Sequence, residues 1–154
     1  MRKVSIIIVS YNVRSYISHA IDSILKSDYN NFEIIVVDNN SYDGTCDHLK
    51  KKYKTIDVIS NGTNVGFGKA VNQGAKHANG EYLFVLNPDT IIEEDTISKL
   101  IKFISMNKNI GVVGPKILNA DGSLQLSCKR SFPTLKVALP KILGLDKIFI
   151  RFRL

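Results

Sequence analysis

Hydrophobic positions along the chain follow two alternating periods. Residues 4–9 (VSIIIV) and 33–38 (EIIVVD) are runs of β-branched residues, and 81–86 (EYLFVL) and 110–113 (IGVV) resemble them. Such near-continuous apolar runs predict strands buried on both faces, as in a parallel sheet. Between them the spacing becomes helical. Ile17, Ala20, Ile21, Ile24 and Leu25 fall at i, i+3, i+4, i+7 and i+8. The same stripe returns in Phe67, Ala70, Val71, Gly74, Ala75 and Ala78, and again in Ile97, Leu100, Ile101 and Ile104. A shorter helix is expected from Ser41, as its N-cap, through Leu49 to Tyr53, and a weak strand at 57–60 (DVIS) follows. Repeated βα units predict an α/β fold, a mostly parallel sheet with helices on both faces.

After Pro115 the pattern changes. In ILNADGSLQL the pair Asp121 and Gly122 predicts a hairpin turn, so the parallel core is expected to end near residue 115. The last stretch has apolar residues at Leu135, Ala138, Leu139, Ile142 and Leu143, broken by Pro140 and Gly144, and then at Ile148, Phe149 and Phe152. The division expected is a main domain over 1–131 and a basic amphipathic tail over 132–154, the start of a further half.

Composition narrows this picture. A chain of 154 residues, 44% hydrophobic and 23% charged, has the size and balance of one ordinary globular domain. Its longest aliphatic runs, Ile6 to Val9 and Ile34 to Val37, fall far short of the roughly 18 residues of a membrane span. No signal-peptide pattern opens the chain, and the expected location is cytoplasmic. Cys46 and Cys128 lack a CxxC partner or a nearby ligand set, which predicts reduced thiols rather than a disulfide or zinc scaffold. The net charge of +7 is unevenly placed: Lys129 to Leu154 holds seven basic residues against Asp146 alone. The basic character therefore belongs to the tail, and no nucleic-acid partner is expected. A tail of this kind either contacts an anionic membrane surface at the inner face or packs against a further part of the protein.

In an open parallel sheet, ligands bind outside the carboxyl ends of the strands. At that edge the sequence places Ser10, Tyr11 and Asn12 after the first strand, and Asp38, Asn39, Asn40 and Ser41 after the second. NGTNVGFGK (61–69) and NPDT (87–90) follow the third and fourth. Each loop alone is ordinary turn chemistry, but their convergence suits a nucleoside diphosphate. Tyr11 can stack on a base, and Asp38 either accepts the imide N–H of uracil or thymine or only caps backbone. The amides of Gly66 and Gly68 stand at a helix N-terminus, where phosphate is favoured, and Lys69 adds a charge. Asp89, beside Asn87, suits a hard divalent cation. Other nucleotide signatures fail. SYNVRS contains no glycine where a GxGxxG fingerprint would begin, and Thr63 and Ala70 replace the glycine and Ser/Thr of a phosphate loop. No GxSxG or HExxH occurs, and His19, His48 and His77 are scattered on helical segments.

VSIIIVSYN, EIIVVDNNSYDGT, NVGFGKAVNQG and YLFVLNPDT, in this order over roughly residues 3–115, resemble the inverting family 2 glycosyltransferases of GT-A fold, in particular the rhamnosyltransferase-like branch. The resemblance implies transfer of a sugar from a UDP- or dTDP-linked donor to a polysaccharide or glycolipid acceptor, glycan or lipid-linked, with inversion. It implies that Tyr11, Asn12 and Asp38 frame the base, that Gly66, Lys69 and Asn72 border the nucleotide, and that Asp89 binds Mg2+ or Mn2+. Ser10, Asn40 and Asn87 complete the nucleotide-binding set, Asn87 standing where many relatives have a first aspartate. The general base of such enzymes lies in a downstream acidic motif. Asp121 and Asp146 do not resemble it, so the base is expected beyond Leu154. A chain lacking it is either the donor-binding part of an enzyme or a non-catalytic nucleotide-sugar-binding module. A nucleotidyltransferase of similar architecture would need a glycine- and arginine-rich opening loop, which is absent.

Overall fold

The computed structural model describes residues 2–125 and Cys128. The tail expected over 132–154 lies outside the described residues. Eight elements alternate along the chain: β1 (Val4–Ser10), α1 (Arg14–Leu25), β2 (Phe32–Asp38), α2 (Thr45–Lys52), β3 (Asp57–Ser60), α3 (Phe67–His77), β4 (Tyr82–Leu86) and α4 (Thr96–Met106). The four strands pair in the order β3-β2-β1-β4, all parallel. Among the described residues no helix is long and apolar enough to cross a membrane.

Strand order explains the two faces. From β1 through β3 the chain moves one way across the sheet; it then returns past β1 to add β4. Right-handed crossovers send helices to opposite faces when the direction of travel reverses. On one face Ile6, Ile8, Ile34 and Val36 pack with Ile17, Ile21 and Ile24 of α1, Leu49 of α2 and Ile97 of α4. On the other face α3 lies against Val9, Ile35 and Val37 through Ala70. Gly74 permits this close approach, because a Cβ there would stand 2.7 Å from Ile7 Cγ2. Small residues on one side of α3 are thus the signature of a helix laid directly on the sheet.

Two expectations are corrected. Residues 110–113, read as a strand from IGVV, join no ladder, and Val112 is exposed. An apolar run becomes a strand only where it pairs with a neighbour, and among the described residues the outer edge of β4 receives no partner. Ser41 does not cap α2, which begins after Gly44. Asp43 takes that task, accepting from Thr45 N at 3.0 Å and also from Arg14 N at 3.0 Å, so one carboxylate serves the starts of α1 and α2. Burial pushes the Asp43 pKa up, but the Thr45 hydroxyl and the Arg14 and Thr45 amides outweigh it and bring it down.

The described residues from 114 onward belong to a second unit. Within it Leu118 and Leu124 make an antiparallel bridge around the Asp121–Gly122 turn, and Gly122 adopts φ +81°. The hairpin signal in the sequence is realised there.

At the amino-terminal edge of the sheet a polar strut replaces apolar packing. Glu33, with a side chain 16% exposed, accepts from Lys3 Nζ at 2.7 Å, from Asn79 N at 2.7 Å and from the hydroxyl of fully buried Ser5. Ser5 Oγ in turn accepts from Gly80 N at 2.8 Å, which ties β1, β2 and the turn before β4 together. Burial raises the Glu33 pKa, but Lys3, Ser5 and Asn79 dominate and lower it from 4.5 to about 2. A carboxyl whose folded pKa lies below its unfolded one stabilises the fold fully above pH 4.5 and loses that contribution as pH falls towards 2. Glu33→Gln is expected to cost about 1–3 kcal/mol at pH 7. Urea denaturation at a series of pH values should also show the variant losing less stability than the parent over the acid range; identical pH profiles would remove the strut from this role.

Candidate functional site

The carboxyl ends of the strands are held in register by their last residues. Ser10 stands opposite Asp38 across β1 and β2, and Asp38 opposite Ser60 across β2 and β3. Asn39 N donates to Ser10 O at 2.8 Å and Asn61 N to Asp38 O at 2.8 Å, continuing the ladder into the loops.

Asp38 is 2% exposed, so its carboxylate must be satisfied by protein groups. Oδ1 accepts from Ser10 Oγ at 2.8 Å and Ser41 Oγ at 2.6 Å, and Oδ2 accepts from Ser41 N at 2.9 Å. Ser41 Oγ also accepts from Asn12 N at 2.9 Å, and Asn12 Oδ1 accepts from Tyr42 N at 3.0 Å. This chain of bonds locks the loop after β1 to the loop after β2. It holds Asn12 at φ 54° and Asn40 at φ 65°, left-handed conformations that asparagine tolerates better than most residues. The outcome at the surface is an aromatic pair. Tyr11 and Tyr42 meet edge to face, with centroids 6.4 Å apart and planes at 85°.

The neighbouring residue points the other way. Successive strand side chains alternate faces, so Asp38 lies on the side of α1 and Asn39 on the side of α3. Asn39 is also 2% exposed, and its Oδ1 accepts from Asn61 Nδ2 at 2.9 Å. Asn61 and Gln73 of α3 exchange two amide bonds, both 2.9 Å. The Nδ2 of Asn39 makes no hydrogen bond among the described residues. Sequence reasoning placed Asn39 on this edge without giving it a role, and it passed over Tyr42. Strand parity pointed to the first; no local signal marked the second.

At the start of α3, Gly66 takes φ 83° and ψ 159°, a region open to glycine almost alone. Its amide donates to Asn64 Oδ1 at 2.9 Å, so the expectation that this N–H faces a phosphate is corrected. Gly66 instead shapes the turn into the helix. The first intrahelical bond runs from Ala70 N to Gly66 O at 3.1 Å, which leaves the amides of Phe67, Gly68 and Lys69 as the orphan donors of the helix start. Lys69 and Asn72 are exposed, and their side chains have no partner among the described residues.

Beyond β4 the chain turns at Asn87, whose carbonyl accepts from Thr90 N at 3.2 Å. Asn87 and Asp89 are exposed and their side chains are unpaired among the described residues. Among those residues no group of three His, Cys, Asp or Glu side chains is placed to hold a metal. A cation at Asp89 would have to take most of its oxygen ligands from a bound diphosphate and water, which suits an exposed carboxylate beside an amide carbonyl.

Of the residues singled out from sequence, Ser10, Asn12 and Asp38 are joined in one hydrogen-bond network through Ser41, and Tyr11 meets it through the ring of Tyr42. Asn40, Gly66, Lys69, Asn72, Asn87 and Asp89 lie on the same carboxyl edge without bonds among themselves. The cavity of about 400 Å³ between β4, α4 and residues 111–113 is lined by apolar groups such as Phe84, Ile97, Leu100 and Ile104, and it is not part of this polar edge.

Comparison with known proteins adds an independent line. The family model described as glycosyl transferase family 2 matches residues 5–138. An uncharacterized glycosyltransferase of Haemophilus influenzae is 36% identical over 114 residues, covering 72% of this chain and 35% of that protein. The poly(ribitol-phosphate) beta-glucosyltransferase of Bacillus spizizenii is 33% identical over 160 residues, covering 96% of this chain and 25% of its own length. Among solved structures, S. aureus TarS 1–349 in complex with UDP-GlcNAc superposes with a TM-score of 0.64 at 28% identity, over 76% of this chain and 38% of that one. The chain therefore spans well under half the length of these relatives.

The three hydrogen bonds that Asp38 accepts generate a prediction. Asp38→Asn puts an NH2 group against donors that now meet a carboxylate, and it is expected to cost about 1.5–3 kcal/mol of stability by chemical denaturation. A variant as stable as the parent would show that the carboxylate does not hold the loops.

Proposed function

The chain belongs to glycosyltransferase family 2, and from that membership we propose that its described residues form the donor side of a GT-A enzyme that takes a UDP- or dTDP-linked sugar. The observation that carries this reading is the rigid polar edge, where Tyr11, Asn39, the start of α3 and Asp89 converge with groups that the fold itself leaves unused.

The roles follow from that availability. Tyr11 stacks on the base. The carboxamide of Asn39 has a free NH2 and a remaining lone pair on Oδ1, a donor–acceptor set that matches a carbonyl and the N–H of an imide edge. Asp38 is the strut that sets the position of both loops rather than the group that reads the base. Lys69, Asn72 and the orphan amides at the start of α3 border the diphosphate, with the helix dipole favouring negative charge there. Asp89, with Asn87, would hold Mg2+ or Mn2+. When bound, such an ion neutralises charge on the departing diphosphate.

The reaction we propose is direct displacement at the anomeric carbon. An acceptor hydroxyl oxygen forms the new glycosidic bond as its proton passes to a general base, a role assigned to none of the described residues; the bond to the diphosphate oxygen breaks, and the configuration inverts. The rhamnosyltransferase-like pattern of NPD at 87–89 and the relative that acts on poly(ribitol-phosphate) support an acceptor that is a cell-surface polysaccharide or glycolipid. In this reading residues 1–131 are the donor domain. The basic tail over 132–154 leads into the acceptor side at the cytoplasmic membrane surface.

Titration calorimetry with UDP, dTDP, GDP and ADP, with and without Mn2+, tests the reading. UDP or dTDP is expected to bind best, more tightly with metal. Asp89→Ala is expected to lose the metal-dependent part, about 1.5–3 kcal/mol for a charge-assisted contact. Equal affinity with and without metal in the parent would remove Asp89 from its role, and preference for a purine nucleotide would overturn the base assignment.

A further inference from the structure

We propose that Tyr42 is a second wall of the nucleoside site, forming with Tyr11 a right-angled aromatic corner that holds the base of the donor; the inference rests on the donor reading above.

Tyr42 is 84% exposed, whereas Tyr29 and Tyr53 are buried. Single exposed aromatics are common and need no explanation by themselves. What sets Tyr42 apart is the fixity of its backbone. Its own amide is held by Asn12 Oδ1, the preceding Ser41 is held through both its amide and its hydroxyl by Asp38, and the following Asp43 is bonded to Arg14 N and Thr45 N. Surface loops ordinarily keep their freedom. Here a network anchored on a buried carboxylate fixes a loop that displays a large, exposed aromatic side chain. Among the described residues the Tyr42 hydroxyl has no hydrogen-bond partner, and the one ring that Tyr42 meets is Tyr11.

The geometry of that pair suits a third ring. Planes at 85° with centroids 6.4 Å apart make a corner. A planar base laid on the face of Tyr11 stands perpendicular to Tyr42 and turns its edge towards that ring. Edge-to-face contact places the positive rim of one ring against the negative face of another. Tyrosine has only two side-chain torsions to fix, and a loop already held in place loses little further freedom on binding. A corner also restricts how far the base can slide on Tyr11.

The test uses the 154-residue chain with Mn2+ and compares parent, Tyr11→Ala, Tyr42→Ala and Tyr42→Phe by calorimetry against UDP and against inorganic pyrophosphate. Because the ring is exposed, the melting temperature of Tyr42→Ala should match the parent. An edge-to-face contact of this kind corresponds to about three- to tenfold in affinity. Tyr42→Ala should therefore bind UDP about three- to tenfold more weakly with pyrophosphate binding unchanged, and Tyr42→Phe should stay within about twofold of the parent. If Tyr11→Ala weakens UDP binding while Tyr42→Ala does not, the corner is wrong and the donor site stands. Equal losses for UDP and pyrophosphate in Tyr42→Ala would also overturn it, since the contact would then be to the phosphates. A parent that does not bind UDP at all would defeat the donor reading and this inference together.

Discussion

The buried carboxylate of Asp38 is the constraint on which the candidate site depends. It closes β2, reaches across to Ser10 at the end of β1, and holds the hydroxyl and amide of Ser41 three residues later. A 2% exposed carboxylate without these donors would be strongly destabilising, so the burial and the loop geometry require each other. Everything displayed at the surface here, from the left-handed Asn12 and Asn40 to the Tyr11–Tyr42 pair, is arranged by bonds that start from this one group.

A division of labour follows. Groups engaged in hydrogen bonds within and between the loops, Asp38, Ser41, Asp43 and the amide of Gly66, build them. Groups left unused, the Nδ2 of Asn39, Lys69, the first amides of α3 and Asp89, are available to a ligand. Fixing the first set removes the entropy that free loops would lose on binding, the physical meaning of a preorganised site. The two faces of the sheet contribute differently. α1 and α2 pack through large aliphatic side chains, while α3 lies close through Ala70 and Gly74 and is tied to the site by the Asn61–Gln73 amide pair.

Periodicity made the architecture legible. The β-branched runs at 4–9 and 33–38 and the stripes beginning at Ile17, Phe67 and Ile97 lie within elements at those places, because burial on one or two faces leaves a repeat in the sequence. The carboxyl-edge loops could be found for the same reason, since each follows a strand. What did not show was how polar side chains are spent. Ser41 looks like a helix cap, Asp38 like a ligand group and Gly66 N–H like a phosphate donor. In each case a contact with another loop or a near neighbour engages the group, and such contacts have no period. IGVV at 110–113 failed for a related reason: apolar spacing marks a segment able to pair, and pairing is decided by a long-range contact that this segment does not make.

The central claim is that this edge, and no other surface of the described residues, receives a nucleoside diphosphate. Amide chemical-shift mapping on the 15N-labelled chain during titration with UDP and Mg2+ tests it most directly. Shifts are expected to cluster at residues 10–12, 38–45, 61–69 and 87–90, on four separate loops, with the apolar cavity beside Leu100 and Ile104 unaffected. Shifts centred on that cavity, or confined to one loop, would contradict the account.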